Sequence, residues 1–537
     1  MTDSLLPFRF PLHRSDNKVL RLLRICSPRR FFLILLCVGL AILVVSLIQP
    51  EYAMERIYTI MDFESEIDAP SWTSQYETER QSLYTPSMFI PEALEQNHYI
   101  PMAAVVDRVS KDEQAIYHII KHLIKYPFIK EIYINNKLSR RPLSMELFQD
   151  LNFIRSKHDR LELHIIEPFN NSNDPSLARF TSCTLTTYSH CYFQDDLALN
   201  LYMDSQYTNF LDTPHLIHAN ARPATFVDHQ RWRFQRGNDL HVGYAQFRYG
   251  AIVQKSLVES FISAATDQQQ PGLGRHADIN FIFWTNQYPW LLANPLTTTG
   301  PVDEFDHTNT IDPINNRKTV YRSMYDALRR LEQRLSIQSH EAANPPLIDR
   351  QVRASCANDH CLFTTNISPF DGVVDEHEFN TEKITSIPHW EAMYQEMDVP
   401  SLETWQTSAF HYAVDSHPRT CWNSYAHPRA GDYFGLNMVG TIPAKRILVH
   451  LRRPIEIGHN GSSGQEELFN VTVSEKKDQW VDCQASRIQD LETSHRIALH
   501  LDDCPDVKAW NAIRIVFARD LQDPIQICGL DIDNMHV

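Results

Sequence analysis

Residues 183–199 read Cys-Thr-Leu-Thr-Thr-Tyr-Ser-His-Cys-Tyr-Phe-Gln-Asp-Asp-Leu-Ala-Leu, and they decide how the chain is interpreted. The pattern predicts a helix or turn, then a short apolar strand that ends in Asp195 and Asp196. In open α/β sheets ligands bind beyond the carboxyl ends of strands, where adjacent carboxylates can hold a hard divalent cation. Acidic pairs also arise by chance, and Asp502-Asp503 is a second one. The pair alone therefore does not establish a metal site.

Length and charge limit the class of protein. The 537 residues are enough for two or three domains. The net charge of -16 argues against nucleic acid, whose binders carry basic patches. Ten cysteines are too few for a disulfide-scaffold protein.

The N-terminus carries an uncharged apolar run, residues 31–48, which is long enough to span a bilayer. Basic residues precede this run and acidic residues follow it, so the positive-inside rule predicts a cytosolic tail at 1–30. We expect a transmembrane signal anchor at 31–49, with the rest of the chain outside the cytosol. A cleaved signal peptide is the alternative, but Ile48-Gln49-Pro50 is a poor cleavage site and favours the anchor.

The remainder of the chain has features of a luminal protein. Four Asn-x-Ser/Thr sequons lie beyond the apolar run, at Asn170, Asn366, Asn460 and Asn470. Cys356 and Cys361 are close enough for a local disulfide, and Cys183 with Cys191 would pin the acidic segment. The pairing of the last four cysteines stays open, because sequence alone does not determine it.

The chain between 50 and 335 changes from stem to folded domain. Residues 50–98 lack periodicity and are predicted to form a stem. Strands are predicted at 102–106, 129–134 and 161–166, with helices at 112–125 and from Ser144. This alternation predicts a parallel sheet with helices on both faces.

Four short motifs then suggest a family. They are Asn135-Asn136, Ala178-Arg179-Phe180, Asp195-Asp196-Leu197 and His276-Ala277-Asp278. In order and spacing, the region from 99 to about 295 resembles glycosyltransferases of the GT-A fold, most closely the exostosin-like branch. The resemblance implies an α/β GT-A, Rossmann-like nucleotide-diphospho-sugar transferase domain at 99–335.

The resemblance also implies roles for single residues. Asp195 and Asp196 would hold Mn²⁺ on the diphosphate of a nucleotide-sugar donor, and Asn135, Arg179 and Asp195 would contact the nucleotide. His241 lies in a segment that lines the sugar side in the family.

Asp278 and Leu197 also bear on the predicted chemistry of this site. By the same resemblance, Asp278 would sit under the sugar and acceptor as a catalytic residue; its alternative role is a helix N-cap. Leu197 replaces the third Asp of the family motif, so either Gln194-Asp195-Asp196 works in a shifted register or metal binding is weakened or lost.

Other residues are weaker candidates for the same cleft. His276 and His307 are possible ligands, although an unplaced His is more often a surface or packing residue. The stretch from Trp284 to Trp290 is aromatic enough to stack on sugars, but burial is the expected role of Trp284.

The C-terminal part differs in pattern. Residues 336–400 are predicted to be a connecting segment, and strands alternate with turns from 401 to 537. This predicts an all-β jelly-roll sandwich. Through Thr420-Cys421-Trp422, Gly431-Asp432 and residues 527–532, it resembles discoidin or coagulation-factor type domains, which bind glycans or membrane surfaces. Trp422 is expected to be scaffold.

Together these observations favour a type II membrane glycosyltransferase of the Golgi, acting on a glycan or glycoprotein. The exostosin-like resemblance implies retention of anomeric configuration. A catalytically inactive, glycan-binding relative is the main alternative. A hydrolase using Asp195 and Asp196 is disfavoured, because neighbouring strand residues point to opposite faces and cannot form a facing pair of carboxylates.

Overall fold

The structure is a computed structural model that describes residues 85–537, except 97, 139–140, 157–158, 168–176, 224–225, 227–232, 237–238, 268–275, 299–312, 338–349, 368–378, 381–404, 406, 456–467, 477–478, 484–494, 502–503, 505–506, 534 and 537. The predicted tail, the predicted anchor and most of the predicted stem lie outside the described residues, as do His307, Asn170 and Asn460. Within these described ranges, no helix combines the length and the hydropathy needed to cross a bilayer.

The N-terminal half of the described chain alternates strands and helices. Its strands are β1 (Met102–Arg108), β2 (Ile129–Asn136), β3 (Ile154–Ser156), β4 (Asp159–Arg160), β5 (Glu162–Ile166), β6 (His190–Asp195), β7 (Ala198–Leu199), β8 (His218–Ala221), β9 (Arg233–Arg236), β10 (Leu240–Gly243), β11 (Ala251–Gln254), β12 (Trp290–Ala293) and β13 (Thr297–Thr298). Its α-helices are α1 (Glu92–Glu95), α2 (Glu113–Leu123), α3 (Ala178–Leu185), α4 (Met203–Asp212), α5 (Lys255–Asp267), α6 (Ala277–Thr285) and α7 (Pro313–Ile337).

A seven-stranded sheet forms the centre of this half, in the order β12-β8-β11-β6-β1-β2-β5. Strand β1 is buried along its length, with alternate residues in two apolar clusters on opposite faces of the sheet. The prediction of an α/β sheet is confirmed. The sheet is mixed rather than wholly parallel, because β11 runs antiparallel to both β6 and β8.

The helix predicted from Ser144 is wrong. The structure has a short 3₁₀ helix, Met145–Phe148, followed by the β3–β4 hairpin. The side chain of Asn152 accepts a hydrogen bond of 3.0 Å from the backbone N–H of Ile154. Such local bonds offer the backbone an alternative to a helix, so the apolar spacing alone was misleading.

The C-terminal half is a sandwich of two antiparallel sheets, which confirms the all-β prediction. Its core includes Trp422, fully buried against Phe363 and Phe410, which fits a scaffold position. The strands are β14 (Val352–Ser355), β15 (Cys361–Thr365), β16 (Phe379–Asn380), β17 (Trp422–Asn423), β18 (Tyr433–Ile442), β19 (Arg446–Leu451), β20 (Phe469–Ser474), β21 (Trp480–Cys483), β22 (Arg496–His500), β23 (Trp510–Phe517), β24 (Gln526–Ile532) and β25 (Met535–His536). One sheet has the order β14-β15-β18-β23-β20-β21, and the other has β17-β24-β19-β22 with β25 on β24. Strand β16 pairs instead with β9.

Two segments outside the predicted sandwich belong to it. Strands β14 and β15 come from the range 336–400, and β15 pairs with β18 over five residues. The 3₁₀ helix Pro86–Phe89, at the end of the predicted stem, lies against Gly440, where any added Cβ would clash with the Met88 carbonyl oxygen. A fragment beginning at residue 401 would therefore lack two strands and this covering segment.

Four disulfides join parts of the described chain, which confirms the prediction that disulfides are present. Two of them, Cys183–Cys191 and Cys356–Cys361, are the pairs expected from the sequence. The other two resolve the C-terminal set as Cys421–Cys528 and Cys483–Cys504.

A partly buried carboxylate connects the two halves. Asp359, in the turn closed by the Cys356–Cys361 disulfide, accepts bonds of 2.9 Å from the backbone N–H groups of Asp204 and Ser205 at the start of α4. Burial raises the pKa of Asp359 to about 7, and nearby Asp204 adds to the shift. Burial likewise raises the pKa of Asp204 to about 6.

We expect Asp359→Asn to change how stability depends on pH. The folded-state pKa of Asp359 lies above its ordinary 3.8, so its contribution to stability is fully present below pH 3.8 and is lost as pH rises through about 7. The Tm of the parent minus that of Asp359→Asn should therefore increase from pH 8 to pH 5.5, by about 2 °C or more. Calorimetry measures both values, and histidines common to both proteins cancel in the difference.

Asp482→Asn, at an exposed position of β21, is the matched control and should show a constant difference from the parent. A constant difference for Asp359→Asn as well would contradict the prediction.

Candidate functional site

Three polar side chains form a row across the carboxyl ends of the central parallel strands. Asp107 of β1 pairs in register with Asn135 of β2 on one side and with Asp195 of β6 on the other. Residues in register on adjacent strands point to the same face. The row therefore places the predicted Asn135 and Asp195 beside a carboxylate, Asp107, that the sequence analysis did not select.

Arg179 occupies the centre of this row. Its Nε and Nη2 donate to Asp107 Oδ2 at 2.9 and 2.6 Å, Nη2 also donates to Asp195 Oδ1, and Nη1 donates to Asp278 Oδ2 at 3.2 Å. The Arg179 side chain is 4% exposed. Burial alone would lower the pKa of Arg179, but the three carboxylates together raise it well above its ordinary value. The guanidinium is therefore permanently charged and uses its donors inside the cluster.

Helix α3 positions Arg179, and two features fix that helix. Phe180 packs at 5.6 Å from Phe193 of β6 and at 5.0 Å from Phe281 of α6, measured between ring centroids. The Cys183–Cys191 disulfide joins α3 to the start of β6. Arg179 and Asp195 therefore lie on two elements that are covalently and sterically linked.

Asp107 is the deepest carboxylate of the cluster, with no exposed surface. Besides Arg179, it accepts 2.9 Å from Asn135 Nδ2 and forms an ion pair of 2.6 Å with Lys137 Nζ. Burial alone would raise the pKa of Asp107, but Arg179 and Lys137 outweigh it and lower the pKa. A carboxylate directly after an apolar strand was the signal that selected Asp195, and the same signal was present at Asp107.

Asp278 is the most accessible carboxylate of the cluster, and its side chain is 38% exposed. Arg179 holds Oδ2, while Oδ1 accepts no hydrogen bond from the described residues. Desolvation by burial raises the pKa of Asp278, against the opposing effect of Arg179. Asp278 lies inside the first turn of α6 and His276 occupies the N-cap position, so the helix-cap alternative for Asp278 is wrong.

Asp196 lies in the turn directly after β6 and does not join the Arg179 cluster. Its Oδ1 accepts 2.9 and 3.0 Å from the backbone N–H groups of Val109 and Ser110. Burial raises the pKa of Asp196 to about 7 despite these two bonds. Asp196 thus holds the loop that leaves β1, while its predicted role in metal binding stays a prediction.

His241 is not brought to the cluster. Its backbone N–H donates 2.9 Å to Asn286 Oδ1, at the far end of α6 from Asp278. Asn286 follows Asp278 by eight residues, a span of about 12 Å along a helix, so the His241 backbone is bonded at a point about that far from Asp278.

The two tryptophans also lie elsewhere. Trp290 is buried beside Val352, and Trp284 lies under the guanidinium of Arg334 at 4.1 Å, so both pack against protein.

The donor set does not suit a manganese ion as it is placed. Asp195 Oδ1 receives Arg179, and the Asp196 carboxylate is turned to the loop. Among the described residues, no group of three or more His, Cys, Asp or Glu side chains is arranged to hold a metal ion. What the cluster offers chemically is one accessible carboxylate, Asp278, beside fixed positive charge from Arg179 and the 29% exposed Lys137.

Two substitutions at Asp196 should separate loop support from metal binding. Asp196→Ala leaves two backbone N–H groups without their acceptor, and we expect a loss of about 1–3 kcal/mol in the free energy of unfolding. Asp196→Asn keeps an acceptor and should lose less. Denaturant unfolding measures both. A parent that binds nucleotide only with Mn²⁺, and an Asp196→Asn variant that loses this binding without loss of stability, would contradict the structural role.

Comparisons with known proteins give weak similarities. No known family matches the sequence, and no curated protein matches it. The solved structures to which the chain is similar include the mannosyltransferase PcManGT from Pyrobaculum calidifontis in complex with GDP-Man and Mn²⁺, at 13% identity, TM-score 0.30, over 51% of this chain and 73% of that one. They also include TarS 1–349 of S. aureus, at 13% identity, TM-score 0.26, over 44% and 82%. A third is the pair of CBM32-1 and CBM32-2 domains of ZmpB from Clostridium perfringens, at 10% identity, TM-score 0.17, over 54% and 60%. Similarities this low do not assign the chain to a family.

Proposed function

We propose that this chain transfers a sugar from a nucleotide-sugar donor to a glycan or glycoprotein acceptor. One observation carries the proposal: Asp107, Asp195 and Asp278 converge on Arg179 at the carboxyl edge of the central parallel strands. Ligands of open α/β sheets bind at this edge. The motifs that resemble GT-A glycosyltransferases supply the cluster, since Arg179, Asp195 and Asp278 each belong to one of them.

Asp278 is the residue proposed to act on the reacting groups. Its Oδ1 accepts no hydrogen bond from the part of the chain that the structure describes, and its partial exposure allows contact with a sugar or acceptor hydroxyl. Its raised pKa brings the carboxylate closer to the range in which a group exchanges protons at neutral pH. Arg179 acts through Asp278 and is a positioning residue, because its exposed surface is small.

The competing proposal is a glycan-binding protein without turnover. This alternative is favoured because Arg179 donates its hydrogen bonds to the protein's own carboxylates. The cluster therefore also has the form of a structural ion network. In either case the donor or ligand is a carbohydrate derivative, and the C-terminal sandwich is proposed to bind glycans through the loops at one end.

The proposed location is the Golgi membrane, with the anchor at 31–49 and the body in the lumen. Support comes from the charge asymmetry around the apolar run and from the sequons. The described disulfides are consistent with an oxidising compartment.

The catalytic proposal predicts a specific loss in Asp278→Asn. We expect transfer or donor hydrolysis to fall by about 10²–10⁴-fold, because the substitution keeps size and removes the proton acceptor. Nucleotide binding should remain. The measurement is release of nucleoside diphosphate from a panel of nucleotide sugars, by parent, Asp278→Asn and the surface control Asp482→Asn. Nucleotide binding with no release by the parent from any donor would favour the non-catalytic alternative.

The luminal proposal predicts which described sequon is modified. Asn470 is exposed on β20, whereas Asn366 accepts 2.7 Å from the Tyr433 backbone N–H and donates to Asp432. In cells with a secretory pathway, Asn470→Gln should remove one glycosidase-sensitive step in gel mobility, and Asn366→Gln should remove none. A full chain that carries no glycan at Asn470 would contradict the luminal placement.

A further inference from the structure

The Arg179 guanidinium lies where a shared cation would be expected. Three carboxylates from β1, β6 and α6 meet at one positive group, with nitrogen to oxygen distances of 2.6 Å for Asp107 and 3.2 Å for Asp278, and with Asp195 in contact as well. Convergence of carboxylates from separate elements normally requires such a charge, because like charges repel when buried.

We propose that Arg179 permanently takes the place of a divalent cation, and that this site binds a nucleoside diphosphate without metal, with Lys137 as the phosphate contact. The inference rests on the proposed function, since it assumes that a nucleotide is the ligand. It departs from the manganese site implied by the resemblance to GT-A glycosyltransferases.

Displacement of the guanidinium by a metal ion would be costly. Asp107 has no exposed surface, and Arg179 contacts it through two nitrogens. A metal ion that displaced the guanidinium would leave Asp107 with Lys137 and the Asn135 amide, and would leave Asp278 without Arg179. Removing one partner of a buried ion pair leaves an uncompensated charge in a low dielectric.

Asp196, the other carboxylate of the acidic pair, is not placed to help Asp195 hold a metal ion. Asp196 is fully buried in the turn that follows β6, where its carboxylate accepts from the backbone N–H groups of Val109 and Ser110. Asp195, in contrast, accepts from Arg179. A metal ion at Asp195 would therefore lack the neighbouring ligand that an Asp-Asp pair suggests.

The charge of the cluster is already nearly balanced. The three carboxylates face Arg179 and Lys137, and Arg248 lies close enough to interact with Asp195 and Asp278. A site in this state has little excess negative charge to attract Mn²⁺. The added negative charge of a diphosphate would instead be favoured by any ammonium that reaches solvent.

Lys137 is that ammonium. Its side chain is 29% exposed, and it follows β2 directly, at the carboxyl edge of the sheet. Its Nζ is anchored at 2.6 Å from Asp107 Oδ2, and an ammonium has further protons to donate. Lys binds phosphate as a point charge, which requires no fixed fork geometry.

The test is calorimetric titration of the full chain in detergent with UDP and with GDP, once in EDTA and once in MnCl₂. We expect at least one nucleotide to bind with the same Kd in both buffers, and Lys137→Gln to weaken binding by about tenfold or more. Lys130→Gln is the matched control, because Lys130 pairs with Asp159 near the start of the same strand. An unchanged Kd in Lys137→Gln overturns the role of Lys137.

The buffers distinguish this inference from the proposed function. Binding that requires Mn²⁺ overturns the inference and leaves the function standing. No binding of either nucleotide in either buffer counts against the function itself.

A second measurement needs no nucleotide. Arg179→Met removes the guanidinium and keeps an apolar stem, so Mn²⁺ should raise the Tm of this variant and leave the Tm of the parent unchanged. If the variant does not fold, the parent alone decides: a Tm that Mn²⁺ raises relative to EDTA overturns the inference.

Discussion

The site depends on the cost of burying the Asp107 carboxylate. Asp107 has no exposed surface at the end of the central strand, so its charge needs partners inside the protein. Arg179 and Lys137 supply them, and Asn135 adds a neutral hydrogen bond. The position of α3 follows from this requirement, because the helix must bring a guanidinium to within 2.6 Å of a strand end.

Part of the site could be predicted from the sequence. An apolar run followed by a carboxylate marks the carboxyl end of a buried strand, and parallel strands bring such ends to one edge. That reasoning placed Asp195 at the edge, and it applies equally to Asp107. Asn135 was selected through the resemblance, and the structure places it at the same edge. The reasoning from strand ends did not give the register, which aligns these three residues in one row.

The partners of the carboxylates were beyond prediction. Whether an aspartate faces a metal, an arginine or a backbone loop depends on elements that dock from elsewhere in the chain. Strand β6 ends at Asp195, so Asp196 lies beyond the strand alternation that was used against a hydrolase, and it contacts the loop that follows β1. The Val109–Ser110 loop that Asp196 holds is 87 and 86 residues away in sequence, so no local pattern reveals it.

The sandwich shows the same division between local and distant information. The strands predicted within 401–537 include patterns such as that of β19, whose buried and partly exposed residues alternate regularly. Strands β14 and β15 were missed because they are four and five residues long, which is too short for a period to be recognised in the sequence. Their burial comes from contact with both halves: Trp290 of β12 donates 3.1 Å to the Val352 carbonyl, and Asn294 accepts 2.8 Å from the Ser355 backbone N–H.

Through these contacts the sandwich supports the far edge of the seven-stranded sheet. Strands β8 and β11 lie between that edge and β6, a separation of about 14 Å at the usual strand spacing. Contacts at that edge stabilise the sheet on which Asp107 and Asp195 lie. They do not position the Arg179 cluster, because Arg179 and Asp278 are held by α3 and α6.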